Sequence, residues 1–474
     1  MTRRLSTASL STPACSRSRS LAALALAAGT AAVLAALPLA PPTAAAERSA
    51  LHRSPPNVLL ITVDTLRSDR LSGYGYRRPT SPAIDRLLAG GARFDQARTV
   101  EPLTNPACSS MLTSLYPHEH GATRNGLRMR PKLPSLSKSL DAQGYMTAAF
   151  IGNWTLKHGI SGLGEHFQTY EEVLTRKRWL GLFAEEATAE DVNEAAIAWL
   201  DDNAGRRRPF FAWAHYVEPH APYKFQGDVA GRLGIDRRGE ASKSDRYDTE
   251  IAFVDRYVGE LAERIESDPR LAGNTLIVFT SDHGESLGEH GEWGHGRNLY
   301  DPALQVPLVF YWPGRIRPQR IAANATNLDI APTVLGLLGA ERPGSFRGFD
   351  WTGVLAGRAE PPKDRPTWFQ AHKGAVLPLT DSRDARRDGL LELGLVRGRR
   401  KEVVQVNRHE HRVFDLRRDP RETSNLNGHR YQPSDELQAW IEHVEEALSD
   451  SADAPPVTLD AEDVEQLRAL GYVG

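Results

Sequence analysis

Four stretches of the chain are apolar almost without interruption, which predicts strands covered on both faces. Residues 57–63 lead into Asp64, and 274–280 lead into Ser281-Asp282-His283-Gly284. Residues 210–216 form a third run and 306–310 a shorter fourth. Between and around them, apolar positions recur at helical spacing over roughly 81–90, 106–115, 135–143, 187–202, 245–266 and 328–338. Buried strands alternating with helices predict an α/β fold with a large, mostly parallel sheet flanked by helices. Ligands of such sheets gather at the carboxyl ends of the strands. Asp64, Asp282 and His283 stand at two of those ends.

Beyond about residue 365 the texture changes. Short β-like runs at 393–396, 402–406 and 412–414 precede a helical pattern near 434–449, which predicts a smaller antiparallel sheet with one helix. Residues 450–456 read as a linker and 460–470 as a final short helix. The expected organisation is a catalytic domain over 55–365 and a smaller C-terminal subdomain and tail over 366–474.

The first 46 residues are set apart from the fold. Arg3, Arg4, Arg17 and Arg19 precede an Ala/Leu-rich run at 21–39, and Ala44-Ala45-Ala46 offers small residues for cleavage. This is the pattern of a signal peptide over 1–46, and it predicts a periplasmic or secreted protein. A membrane anchor follows only if the leader stays uncleaved. Cys15 lies in the leader, so processing leaves Cys108 alone and no intrachain disulfide can form. With 58 Lys+Arg against 60 Asp+Glu, the chain lacks the cationic footprint of a nucleic-acid binder.

The residues able to carry chemistry fall in four segments: Asp64 to Asp69, Thr104 to Thr113, Glu218 to Tyr223, and Ser281 to Tyr300 with His290 and His295. Asp64 or Asp282 alone can equally be a cap of a following turn. Together with His283 they make a metal-ligating set. Pro106 suits a first helical position and Asn105 an N-cap, which puts Thr104 just outside a helix N-terminus. A cation there, added to the helix dipole, would favour an alkoxide; without one, Thr104 is a loop residue.

Asp64-Thr65-Leu66-Arg67, Leu112-Thr113-Ser114-Leu115-Tyr116-Pro117-His118 and Glu218-Pro219-His220-Ala221-Pro222-Tyr223 resemble segments of the sulfatase family. So do Ser281-Asp282-His283-Gly284-Glu285, Asn327 to Thr333, Phe414 to Glu422 with Asn425-Leu426, and the closing Leu467 to Tyr472. The likeness runs in order over about 55–474 and implies the alkaline-phosphatase-like superfamily. It implies a metal-dependent hydrolase of sulfate or phosphate esters, acting on a small molecule or a glycan.

The likeness also marks departures. The family frame puts Thr104 where a Cys or Ser becomes formylglycine, and Cys108 where an Arg is usual, so no formylglycine is expected. Gly152-Asn153-Trp154-Thr155-Leu156 lacks the family's Lys and His; His220 keeps its place and His295 stands in for a later Lys. Asp64, Thr104, Asp282 and His283 resemble the metal site of the superfamily's threonine enzymes, the nucleotide pyrophosphatase/phosphodiesterases and phosphoethanolamine transferases. An imidazole ligand favours zinc or manganese over calcium, which stays possible.

The resemblance therefore implies Thr104 as nucleophile and metal ligand, with His220 and His295 as catalytic donors. Asn153, His220, His295 and Arg67 are expected on the substrate. Alternatively His220 and His295 complete a second metal site with His290 or Glu218; Glu218 otherwise orients His220. The missing cations favour a monoanionic ester. Other readings are a phosphodiesterase, a phosphoethanolamine-type transferase acting on envelope lipid or glycan, and a binding protein without turnover. His118 is expected in surface or loop structure, 245–266 in the core, 381–388 in a solvated loop, and 224–246 in a patternless loop of the kind that forms lids.

Overall fold

The computed structural model describes residues 55–175, 187–203, 208–235, 238–374, 389–428 and 430–449. The leader, the 381–388 cluster, the linker and the final helix expected at 460–470 lie outside the described residues. Eight strands form the main sheet: β1 (Asn57–Val63), β2 (Ala92–Arg98), β3 (Met146–Ile151), β4 (Thr169–Glu172), β5 (Phe210–Tyr216), β6 (Thr275–Ser281), then, after the two-residue strands β7 (Ser286–Leu287) and β8 (Trp293–Gly294), β9 (Leu308–Tyr311) and β10 (Gln319–Thr326). Their order is β10-β2-β9-β6-β1-β5-β3-β4. All neighbours are parallel except at β9, which runs antiparallel to both β2 and β6.

β1 explains the unbroken apolar pattern. Val58 and Leu60 point into one core with Phe211, Trp213 and Phe310, while Leu59, Ile61 and Val63 point into a second core on the other face. The first core is closed by α2 (Thr104–Thr113), α3 (Leu136–Asp141) and α6 (Ile330–Leu338). The second is closed by α1 (Pro82–Gly90), α4 (Ala189–Asn203) and α5 (Lys243–Glu266). A strand covered on both sides has no polar face, so alternation is lost.

β2, β4 and β10 do not read as apolar runs; β3 does, being buried on both faces, and the sequence reading passed it over. β2 alternates buried Ala92, Phe94 and Ala97 with Arg93, Asp95 and Gln96. β4 and β10 are the sheet edges and carry polar, partly exposed side chains, as edges do. The 224–246 segment is not patternless: Val229, Ala230, Leu233 and Ile235 are buried and form a small core with Ala252 of α5.

The C-terminal sheet is antiparallel, β11 (Pro366–His372), β12 (Leu390–Arg397), β13 (Arg400–Gln405) and β14 (Glu410–Asp415) in that order. α7 (Asp435–Ser449) lays Leu437, Trp440, Ile441 and Val444 on Leu390, Leu393, Leu395 and Val404. It belongs to the same compact unit as the main sheet, Ser54–Gly474. A buried ion cluster joins the two sheets. Asp301 takes Arg98 at the end of β2 (2.7 Å) and Lys401 of β13 (2.8 Å), and Lys401 also reaches Glu422 at 2.6 Å.

Two measurements check these joints. Lys401→Met leaves buried Glu422 without its cation, while Asp301 keeps Arg98, and should cost about 3–5 kcal/mol in chemical denaturation. Glu402 accepts bonds from His411, Arg400 and the Ser434 amide. Burial pushes its carboxyl up, but those bonds outweigh it and hold it at about 2, below the unbonded 4.5. A depressed carboxylate stabilises the fold above its unfolded value and loses that contribution as pH falls towards the folded one. Glu402→Gln should therefore cost about 1–3 kcal/mol at neutral pH, and the gap to wild type should close between pH 4.5 and about 2.

Candidate metal centre and active site

The parallel register places Val63 opposite both Tyr216 of β5 and Ser281 of β6, so three chains leave the sheet side by side. Asp64 follows β1 with its amide on the Tyr216 carbonyl at 2.9 Å. The next residue, Thr65, has φ 55°, a strained value for a β-branched side chain. It is held there from three sides. Its amide donates to Asp282 Oδ1 at 3.2 Å, its carbonyl accepts from the Tyr247 hydroxyl at 2.6 Å, and the Leu66 amide donates to Ser281 Oγ at 3.0 Å. Tyr247, expected only to pack, thus also clamps the turn.

Asp282 Oδ1 accepts from the His283 amide at 2.8 Å. His283 Nδ1 lies 2.9 Å from the Gly284 carbonyl, which can only accept, so Nδ1 carries the proton and the Nε2 lone pair faces the centre. Nε2 is 3.3 Å from Thr104 Oγ1, 3.5 Å from Asp282 Oδ2 and 3.7 Å from Asp64 Oδ1. The four residues expected as metal ligands, Asp64, Thr104, Asp282 and His283, are therefore neighbours. His215 joins them from β5. Its Nδ1 is 2.7 Å from Thr62 Oγ1 and its Nε2 is 3.8 Å from Asp64 Oδ2. The sequence reading missed it; the available signal was an imidazole one place from the end of an otherwise apolar strand.

All five side chains are buried. Asp64 Oδ1, Asp282 Oδ2 and His215 Nε2 have no hydrogen-bond partner among the described residues. Asp64, His215 and Asp282 each offer a ligand atom, all within 4.8 Å of one another. Burial, helped by the charge of Asp64, pushes the Asp282 carboxyl up to about 8. Burial also pushes Asp64 up, but His215, His220 and His283 outweigh it and hold that carboxyl below its ordinary range. Buried charges of one sign with unpartnered oxygens and a lone imidazole nitrogen suit a divalent cation, which would satisfy all three.

The remaining expected residues divide. The His295 ring lies tilted beside His283 (ring centroids 4.3 Å) and edge-on to His220 (5.2 Å). Its Nδ1 donates to Glu285 Oε1 at 3.1 Å, and although burial raises Glu285, His295 pulls that carboxyl below its usual value. His220 Nδ1 donates to the Ala221 carbonyl at 2.6 Å. Asn153, expected on the substrate, donates its amide to Asp64 instead. Arg67, also expected there, ion-pairs with Asp69 and Glu289 at 2.8 Å each and donates to the Glu285 carbonyl.

His290 stacks on Tyr300 at 3.7 Å, and Glu218 accepts from the Ala189 amide. His118 is not on the surface: it is buried, accepts from Gln370 Nε2 at 2.5 Å and packs on Tyr116 and Trp440. The helix that carries Thr104 also starts earlier than expected. α2 begins at Thr104 itself, because the side chain of Asn125 accepts from the Asn105 amide at 3.0 Å and replaces a local cap. Cys108, one turn on, is fully buried, and burial pushes its thiol well up.

The family model described as Sulfatase matches residues 56–340, and that of N-sulphoglucosamine sulphohydrolase, C-terminal, matches 288–450. The chain is similar to an N-acetylglucosamine-6-O-sulfatase of Bacteroides thetaiotaomicron, 24% identical, with 79% of this chain and 83% of that one covered. Its fold is similar to that of a protein solved in complex with its substrate D-glucosamine-2-N,6-O-disulfate (TM-score 0.65, 21% identity, covering 84% of this chain and 99% of that one). It is also similar to the phosphonate monoester hydrolase of Agrobacterium radiobacter (TM-score 0.62, 19% identity, 83% and 95% covered).

A cation at this centre should raise stability by about 3 kcal/mol when present at a hundredfold excess over its Kd. Calorimetry with and without a chelator reads this directly. Asp282→Asn should erase the cation-dependent increment and make the stripped protein more stable, since one of two crowded charges is gone. A stripped protein that melts like the loaded one would exclude the site.

Proposed function

The chain belongs to the sulfatase family, and from that membership and the site geometry we propose that it hydrolyses monoanionic sulfate or phosphate esters, with Thr104 as nucleophile. Sulfatase-family homologues are ester hydrolases, and this chain is one in that broad sense. The observation that carries the finer reading is Thr104 Oγ1, 3.3 Å from an imidazole nitrogen that also borders both buried carboxylates. In this reading Asp64, Asp282 and His283 hold a zinc or manganese ion, with His215 beside them. Such an ion, when bound, supplies Lewis-acid polarisation of an ester oxygen and lowers a nearby hydroxyl pKa.

The chain's own groups do the rest. Thr104 Oγ1, its hydroxyl proton released to solvent beforehand, attacks sulfur or phosphorus in line, the bond to the leaving oxygen breaks, and a threonyl ester remains. His295, oriented by Glu285 through Nδ1, donates a proton to the leaving oxygen from Nε2, and His220 hydrogen-bonds a non-bridging oxygen. Water then attacks the threonyl ester and gives a proton to His295 Nε2, which restores it, while Thr104 Oγ1 leaves and takes a proton back from solvent. A threonyl ester has no geminal hydroxyl through which to eliminate, so this second step is a displacement.

The monoanion follows from charge. Arg67, the arginine that follows Asp64, is neutralised by Asp69 and Glu289, so it has no spare charge to offer a second negative oxygen. A phosphodiester is the second reading, favoured because displacement from a threonyl ester is easier at phosphorus than at sulfur. The glycan esters named for the relatives make a carbohydrate ester the proposed substrate. Export through the 1–46 leader is part of the same proposal.

The test is a rate panel on the metal-loaded protein with nitrophenyl sulfate, nitrophenyl phosphate and bis-nitrophenyl phosphate, each with zinc, manganese or calcium. Thr104→Ala should lower kcat/KM at least about a thousandfold on whichever ester is turned over, and Thr104→Ser should keep a substantial part. Turnover that survives Thr104→Ala removes Thr104 as the nucleophile.

A further inference from the structure

The two imidazoles that border Asp64 are held in different ways. His283 Nδ1 faces a backbone carbonyl, which only accepts, so its Nε2 lone pair is fixed towards the carboxylates. His215 Nδ1 instead faces a hydroxyl, Thr62 Oγ1, at 2.7 Å. A hydroxyl donates one bond and accepts two, so it can meet either tautomer of the ring.

The strand register builds this pair. Thr62 of β1 lies directly opposite His215 of β5. Thr62 continues the inward row of Val58 and Leu60, as His215 continues that of Phe211 and Trp213. Valine has nearly the same shape as threonine, and a hydroxyl buried in an apolar row is unfavourable unless it is bonded. Three groups converge on Thr62 Oγ1. Trp213 Nε1, which only donates, is 2.8 Å away and takes one lone pair. His215 Nδ1 stands on a second side, and the Ala214 carbonyl, which only accepts, lies at 3.5 Å. Thr62, Trp213, Ala214 and His215 are all fully buried, so solvent does not compete for these bonds.

Two arrangements satisfy this set. In one, Thr62 donates to His215 Nδ1 and the ring proton sits on Nε2, 3.8 Å from Asp64 Oδ2. There its positive hydrogen eases the repulsion between Asp64 and Asp282. In the other, Thr62 turns its proton to the Ala214 carbonyl and accepts the ring proton from Nδ1, which leaves a bare lone pair on Nε2. One proton leaves Nε2 and one is gained at Nδ1, so the ring stays neutral. That nitrogen, Asp64 and Asp282 offer ligand atoms within 4.8 Å of one another. Resting on the metal-centre reading above, we propose that Thr62, braced by Trp213, is a positioning residue that lets His215 present an N–H to the two carboxylates in the stripped protein and a bare nitrogen to a bound cation. His215 thereby joins Asp64, Asp282 and His283 as a ligand. Two imidazoles beside two carboxylates favour zinc over calcium or magnesium, which prefer oxygen donors throughout.

The test strips the full protein with a chelator and measures zinc affinity by competition with a chromophoric chelator. Thr62→Val should weaken zinc binding about 10–100-fold, the usual cost of losing a group that orients a ligand. Thr62→Ser should recover most of that loss. His215→Gln should weaken binding at least as much, and adding Thr62→Val to it should cost little more. A merely structural Thr62 would lower the melting temperature of stripped and loaded protein alike and leave zinc affinity unchanged, a result that overturns the proposal. Nitrogen NMR spectra of the imidazoles give a second reading that does not depend on Thr62→Val folding. His215 should carry its proton on Nε2 in the stripped protein and on Nδ1 with zinc, while His283 keeps Nδ1–H in both. An unchanged His215 tautomer overturns the proposal as well. Zinc binding that is lost in Asp282→Asn but indifferent to His215→Gln removes this inference and leaves the centre standing; no zinc bound by the wild type removes both.

Discussion

Two carboxylates buried against each other set the terms for everything around them. Asp64 and Asp282 end adjacent parallel strands, and the register leaves them no room to diverge. In a medium that solvates charge poorly, such a pair is tolerated only with compensation by protons, hydrogen bonds or a cation. The molecule concentrates compensation there. Asn153 donates to Asp64, the Thr65 and His283 amides donate to Asp282, and imidazoles approach from β5 and from the turn after β6. Even the strained Thr65 follows from this, because its left-handed backbone is what turns its amide onto Asp282.

The loop before Thr104 is held by a different part of the fold. Gln370 of β11 donates its amide to the Val100 carbonyl, and Asn327 accepts from the Val100 amide. Glu101, three residues before Thr104, is wholly buried and bonds both the amide and Nδ1 of His372. Burial pushes the Glu101 carboxyl well up and brings the His372 ring down to about 3, so the ring is neutral. The C-terminal sheet is thus a brace for the loop before α2 as well as a lid on its own small core. The Lys401 cluster fastens that brace to the end of β2, so packing far from the centre bears on the placement of one hydroxyl.

Much of this was legible in the chain, and the rest was hidden for physical reasons. Strands covered on both faces announce themselves by composition, as β1, β5 and β6 do. Edge strands such as β4 and β10 meet solvent and lose that signal. Asp64, Asp282 and His283 were readable because polar residues ending apolar runs stand out. His215 sits inside such a run and was absorbed by it. The start of α2 was misplaced because its cap comes from Asn125, twenty residues along the chain from Asn105, and no local pattern encodes a tertiary cap. The carboxylate partners of Arg67 and Asn153 were not legible, because Glu289 and Asp64 come to them only in three dimensions.

The burial of Cys108 has a practical corollary. Its sulfur sits in the core between the main sheet and α2, α3 and α6, where alkylating reagents and oxidants cannot reach it while the fold is closed. Because the other cysteine, Cys15, falls within the first 46 residues, a chain without those residues carries a single thiol, in the core beneath its main sheet. Its rate of labelling then follows the opening of that core, a built-in clock that needs no engineered probe.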